Sequence, residues 1–270
     1  MSCCERIKFA LSKLIMEFFG TFVFTLLYLT HVQPVMLIGL WVLTIFSWKI
    51  SASQLNPAVT LAFIFRADSK KIHLTMGINM MIAQVAGAYC GALYWNFVSW
   101  GIPAMEPNVN GNLNPLVFQA MMQEIFGTFI FVLLFKIVTD ERLHFSKEAT
   151  INCFIIAASY IAARSIVNGA TMTITANYGA CLNPAVAVGI TLNSILTAGQ
   201  VGSTFKWFWI YWFLPFAGSA IAIIFYRFVY MKTQLMIMND QKEHMEEKAL
   251  EEVEENMEEA LLAPEKTMDA

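Results

Sequence analysis

Two patterns occur twice in this chain, in the same order. Glu17-Phe18-Phe19-Gly20-Thr21-Phe22-Val23-Phe24 returns as Glu124-Ile125-Phe126-Gly127-Thr128-Phe129-Ile130-Phe131, identical at six of eight places. Downstream of each stands one tetrapeptide, Asn56-Pro57-Ala58-Val59 and then Asn183-Pro184-Ala185-Val186. Either tetrapeptide alone reads as a turn and a helix cap. With the upstream pair they mark a duplicated unit, and a duplication constrains the fold before any local propensity does.

The solvent of that fold is lipid. Hydrophobic residues make up 57% of the 270 and charged residues 14%, against about 25% charged in an average soluble domain. The net charge of −3 hides a split. Residues 240–270 hold twelve of the twenty acids and three of the seventeen bases, leaving fourteen bases against eight acids before them. Cys3, Cys4, Cys90, Cys153 and Cys181 lack metal-ligand spacing and imply no disulfide framework. Cys3-Cys4 beside Arg6 and Lys8 is open to acylation as well. The four histidines and five cysteines form no triad or metal set, so no catalytic residues, enzyme activity, metal or nucleic-acid partner are expected.

Apolar runs near residues 11–31, 34–51, 74–99, 119–138, 150–171 and 207–230 have the length that crosses about 30 Å of hydrocarbon. Pro57 to Phe65 and Pro184 to Leu196 are apolar but too short. Each is expected to dip in and return, which lipid tolerates only where the irregular backbone is packed in protein or lines a wet cavity. The fold class is therefore an all-α membrane protein of six transmembrane helices and two re-entrant half-helices. Residues 1–10 form an N-terminal segment, 11–232 the membrane domain (repeats about 11–99 and 119–230) and 233–270 an acidic tail. Arg6, Lys8, Lys13, Arg66, Lys70, Lys71, Arg142, Lys147, Arg227 and Lys232 all fall on one side of this topology. The segments near 31–34 and 100–118 on the other side have no Lys or Arg. Both termini are thus expected in the cytoplasm. Three spans per copy is odd, so the repeat is inverted.

Asn is a strong helix N-cap and Pro suits the first helical position. The side-chain oxygens of Asn56 and Asn183 are expected to cap their own half-helices and leave each NH₂ free to donate. Half-helices entering from opposite faces would bring two positive dipole ends together at mid-membrane. A water there accepts from both amides, so its hydrogens point away along the path and proton hopping across that plane is broken.

These residues carry a resemblance. The two Asn-Pro-Ala motifs, Glu17 and Glu124 with their Gly-Thr-Phe tails, Ala83-Gln84-x-x-Gly87-Ala88, and Trp209-x-Tyr211-Trp212-x-x-Pro215-x-x-Gly218 look like the aquaporin (major intrinsic protein) family over about residues 11–230. The resemblance implies a right-handed bundle with a pore in each subunit, a homotetramer in lipid, passive flux of water or small neutral solutes, and no bound cofactor. Its half-helix dipoles oppose cations. An arginine usually follows the second motif in this family; here Val186 stands there, and Ala187 replaces the aspartate of glycerol-conducting relatives. The other filter positions fall on Ala180, Thr171 and either Met36 or Ile38. The expected filter is apolar, uncharged and wider than that of a strict water channel.

Glu17 and Glu124 are intramembrane acids whose expected work is to hold the re-entrant loops by accepting from their backbone. Arg164 either lies between helices, paired to a glutamate or to loop carbonyls, or faces the pore. The tail from Asp240 to Leu262 spaces Met245, Ala249, Val253 and Met257 by four, which suits a solvated helix ended by Pro264 or a docking helix for a basic cytoplasmic partner. Two other functional classes compete: a secondary transporter built on broken helices, and a poorly conducting junctional protein. The first lacks an acid or histidine cluster for ion coupling, and the short segment near 31–34 argues against the second.

Overall fold

The structure is a computed structural model describing residues 2–66, 71–99, 113–143, 145–168, 180–198 and 201–262. Helix α1 (Cys3–Leu29) begins further out than expected because Ser2 caps it: Ser2 Oγ accepts from Glu5 N, and the Glu5 carboxylate accepts from Ser2 N at 2.6 Å. This reciprocal pair satisfies two free backbone donors and carries the helix into polar sequence. There follow α2 (Gln33–Ser51), the short α3 (Pro57–Ile64), α4 (Leu74–Ser99), α5 (Leu113–Thr139), α6 (Ala149–Asn168), the short α7 (Pro184–Ala198) and α8 (Val201–Phe225). A π-helical turn, Tyr226–Tyr230, and α9 (Met231–Leu262) complete the described chain. Six helices are long and apolar enough to cross a membrane among the described residues.

The packing repeats with the sequence. In the first repeat α1 lies on α2 and α4; in the second α5 lies on α6 and α8. Helices α2 and α6 join the two copies. Each half-helix crosses over, α3 packing on α8 and α7 on α4. The close approaches also correspond. A Cβ placed on Gly87 would stand 2.1 Å from Phe18 O, and one on Gly218 would stand 2.3 Å from Ile125 O. Only glycine lets the backbones of α1 and α4, and of α5 and α8, come this near.

By contact density the chain divides into two units, Met1–Tyr226 and Arg227–Ala270. The second is helical over its described length, and its Met245, Val253 and Met257 are all exposed. Pro264 lies outside the described residues.

Candidate functional site

The two tetrapeptides build the same turn twice. Leu55 and Leu182, the residues before each asparagine, have φ of 49° and 55°. Ser53 and Ala180, a few places earlier, have φ of 54° and 48°. Four non-glycine residues in the left-handed region cost of order 1 kcal/mol each and need external support. The glutamates of the repeat give it. Glu17 accepts from Gln54 N at 3.2 Å and Leu55 N at 2.7 Å; Glu124 accepts from Cys181 N at 2.5 Å and Leu182 N at 2.9 Å. Gln84 adds a third donor to Glu17 at 2.6 Å and also donates to Thr60 Oγ1. All three of these long polar side chains are fully buried.

Asn56 Oδ1 then accepts from Ala58 N at 2.9 Å, and Asn183 Oδ1 from Ala185 N at 3.1 Å. Pro57 and Pro184 fill the first helical positions, where no N–H is needed. The amide nitrogens act differently from expectation. Asn56 Nδ2 donates to Leu182 O at 2.8 Å, and Asn183 Nδ2 donates to Leu55 O at 2.9 Å. Each NH₂ carries two N–H groups, so each asparagine braces the opposite turn with one and keeps one. The half-helices are tied tip to tip. A direct bond from Ser219 Oγ to Ala58 O, 2.6 Å long, fixes α3 to α8.

Two cavities lead toward these tips. The larger, about 330 Å³, is lined by Lys13, Lys49 and Lys71 with Gln54, Phe63 and Thr139. The smaller, about 20 Å³, has Gln54 and Leu55 in its wall with Phe24, Phe131, Phe135 and Tyr160. That space admits about one water. Its rings are held edge to face, Phe24 to Tyr160 at 5.1 Å and Phe131 to Tyr160 at 5.2 Å between centroids. Gln54 borders both spaces, and its buried Oε1 takes no hydrogen bond among the described residues.

Beyond the tips stands Arg164 of α6. Its Nε donates to Ala180 O at 2.9 Å and its Nη1 lies 3.2 Å from Met36 Sδ. Its guanidinium covers the Tyr28 ring at 4.5 Å and approaches Tyr160 at 5.9 Å. Met36 and Ala180, expected to form an uncharged constriction, therefore have a guanidinium between them. The sequence reading left Arg164 open between a buried setting and the pore; what it missed is that the guanidinium stands against Met36 and Ala180, because it counted the constriction positions without that side chain. Of the two buried settings expected for Arg164, the contact found is a loop carbonyl; no ion pair to a glutamate occurs among the described residues. Val186 is wholly enclosed in the apolar core, as is Ala187. Ile38, the alternative to Met36, is 58% exposed on the outside of α2. Thr171 lies outside the described residues.

Tyr160 was also missed, although a signal existed: it precedes Arg164 by four residues, one helical turn on the same face. Its OH donates to Cys181 O at 2.7 Å. At the other end of the domain three bases expected in loops or at their borders take part in packing. Lys136 donates to Ala62 O in the last turn of α3 at 3.4 Å, where a positive charge suits the dipole. Arg66 donates to Thr139 Oγ1 at 2.8 Å and to Thr139 O at 3.1 Å. Arg142 pairs with Asp140 at 2.7 Å.

A sequence model of the family described as major intrinsic protein matches residues 4–226. The chain is 31% identical to a probable aquaporin PIP2-5 of Arabidopsis thaliana over 183 residues, 67% of this chain and 59% of that one. It is 30% identical to aquaporin-1 of Ovis aries over 188 residues, 67% of this chain and 60% of that one. The matched part thus spans about 60% of the length of these curated relatives. A solved aquaglyceroporin of Plasmodium falciparum superposes with a TM-score of 0.61 at 22% identity, covering 82% of this chain and 97% of that one.

Proposed function

Since the chain belongs to the major intrinsic protein family, we propose that it is a passive transmembrane channel for water and small neutral solutes, without cofactor and without enzymatic activity. The observation that carries this reading is the reciprocal bracing of Asn56 and Asn183. It sets two half-helix N-termini against each other and leaves one amide N–H on each, enough to hold a single water by its oxygen at the plane between them. Protons and cations meet two positive dipole ends there. The rings beside Gln54 keep the approach one molecule wide. The chain works as a homotetramer with both termini cytoplasmic, on the reading of its family resemblance and its Lys and Arg distribution. Glu17 and Glu124 support the loops, while Met36 and Ala180 border the outer constriction. The acidic helix α9 is left free for a cytoplasmic partner.

Stopped-flow light scattering on proteoliposomes tests the reading. Osmotic shrinkage well above that of empty liposomes is expected, linear in the gradient and independent of any ion gradient. Flux that saturates and follows sodium or proton gradients would replace the channel with a transporter. Parallel glycerol and urea gradients identify the solutes beyond water.

A further inference from the structure

We propose that Arg164 is the selectivity-determining residue of the outer half-channel, supplied from α6 because the turn of α7 presents Val186; the proposal rests on the channel reading above. Four walls converge on its guanidinium: Tyr28 from α1, Met36 from α2, Tyr160 from α6 itself, and the Ala180 carbonyl three residues before Asn183. Those contacts place a permanent positive charge on the far side of the asparagine tips from the basic vestibule.

Glu124, which holds the adjoining turn, attracts this charge through space but makes no ion pair with it among the described residues. A guanidinium has five N–H donors and does not lose its proton. The Ala180 oxygen and the Met36 sulfur take two of them, and among the described residues no carboxylate pairs with it. Its side chain is partly exposed, whereas the adjoining Ala163 is fully enclosed. An ionised group inside an apolar span whose described contacts use only two of its five donors has to face water. The Tyr28 face steadies it without using a donor.

The carbonyls around it make the chemistry one-sided. Ala180 O is taken by Arg164 and Cys181 O by Tyr160, while Leu182 O is taken by Asn56. Each of three successive carbonyls thus already takes one hydrogen bond and has a single lone pair left for a passing cation or a donor solute. Among the described residues the wall therefore offers a permeant several N–H donors and a positive charge against acceptors that are each half spent. Such a wall favours small neutral acceptors and opposes cations, and it does so before the molecule reaches Asn56 and Asn183.

Arg164→Cys with thiol labelling from the outer face separates this from a purely structural role. In liposomes already shown to pass water through the wild-type chain, the variant is expected to pass water still. It should leak sodium or protons about tenfold more, the effect of a barrier lowered by one modest charge interaction. A small cationic methanethiosulfonate should label the introduced thiol and restore exclusion, while a neutral reagent of equal size should not. Wild-type protein treated alike controls for the native cysteines. A variant that folds but whose new thiol resists labelling, or a labelled channel indifferent to reagent charge, would overturn the proposal. Arg164→Lys gives a second arm should the cysteine variant not fold. It keeps the charge and loses the planar fork, so cation exclusion is expected to hold while glycerol and urea flux changes; leakage equal to that of an uncharged site would also overturn it. Absence of water flux in the wild type would count against the channel reading itself.

Discussion

Asn56 carries two tasks in one amide, its oxygen capping α3 and one N–H bracing the Leu182 carbonyl, and its other N–H is the donor proposed for a permeant. The cap is legible in sequence, because capping is local and the preference for Asn before Pro is strong. The brace is not, since its partner lies 126 residues away. Asn56→Asp therefore has two expected effects. The carboxylate cannot donate to Leu182 O and sets two oxygens against each other, so thermal melting in detergent should fall. It also inverts the charge at the narrow plane, so cation leak into liposomes should rise. An unchanged melting curve would mean that the brace carries no weight. Asp140 offers a separate test in the loop after α5. Burial alone would raise its carboxyl, but hydrogen bonds from Arg142 and Tyr226 outweigh this and hold it well below the usual carboxylate range. A depressed folded-state pKa gives stability that is present above the unfolded value, about 4, and is lost as pH falls through the folded value. The stability gap between wild type and Asp140→Asn should stay constant from about pH 8 to about pH 5 and shrink below about pH 4. A gap that grows on acidification would reverse the assignment.

Among the elements, the spans were legible to within a few residues wherever hydrophobicity alone sets a boundary. The two short helices were legible because proline starts them and their length fails to cross. The start of α1 was not, since the Ser2–Glu5 box extends the helix into polar residues where no apolar run marks it. The crossing of α3 onto α8 and of α7 onto α4 follows from inverting the repeat, but the closeness of the surrounding helices rests on glycine. Gly87 and Gly39 separate backbone contact from side-chain contact. A Cβ at Gly87 meets the Phe18 carbonyl at 2.1 Å, so α1 and α4 must move apart. A Cβ at Gly39 meets Leu27 Cδ2 at 2.4 Å, and a leucine end can turn aside. Gly87→Ala should cost about 3 kcal/mol or more, and Gly39→Ala about 1 kcal/mol. Melting of both variants in one detergent checks the order, and equal losses would show that α1 and α4 are free to shift.

Across the whole molecule the groups assigned to permeation lie within the unit Met1–Tyr226. They divide evenly between the repeats: one glutamate, one left-handed turn and one asparagine from each. The departures from that symmetry are where this chain becomes particular. Arg66 and Lys136 secure the α3 end with cations, while the tenth residue after Asn183 is Asn193, fully buried and with no hydrogen bond to its side-chain amide among the described residues. Arg164 charges only the side nearer α7. A symmetric pair of helix ends opposes cations from either direction, whereas a single offset charge is met first from one side. The second unit, Arg227–Ala270, carries most of the acidic residues of the chain. A chain ending after Asp240 is therefore expected to melt as the full chain does and to pass water at the same rate per channel within about twofold, a barrier difference under about 0.5 kcal/mol. The measurement is stopped-flow shrinkage normalised to protein content, with the rates compared in low and high salt. Faster flux after truncation, abolished when the severed tail is added back at low salt, would instead make the acidic tail a regulator of the channel.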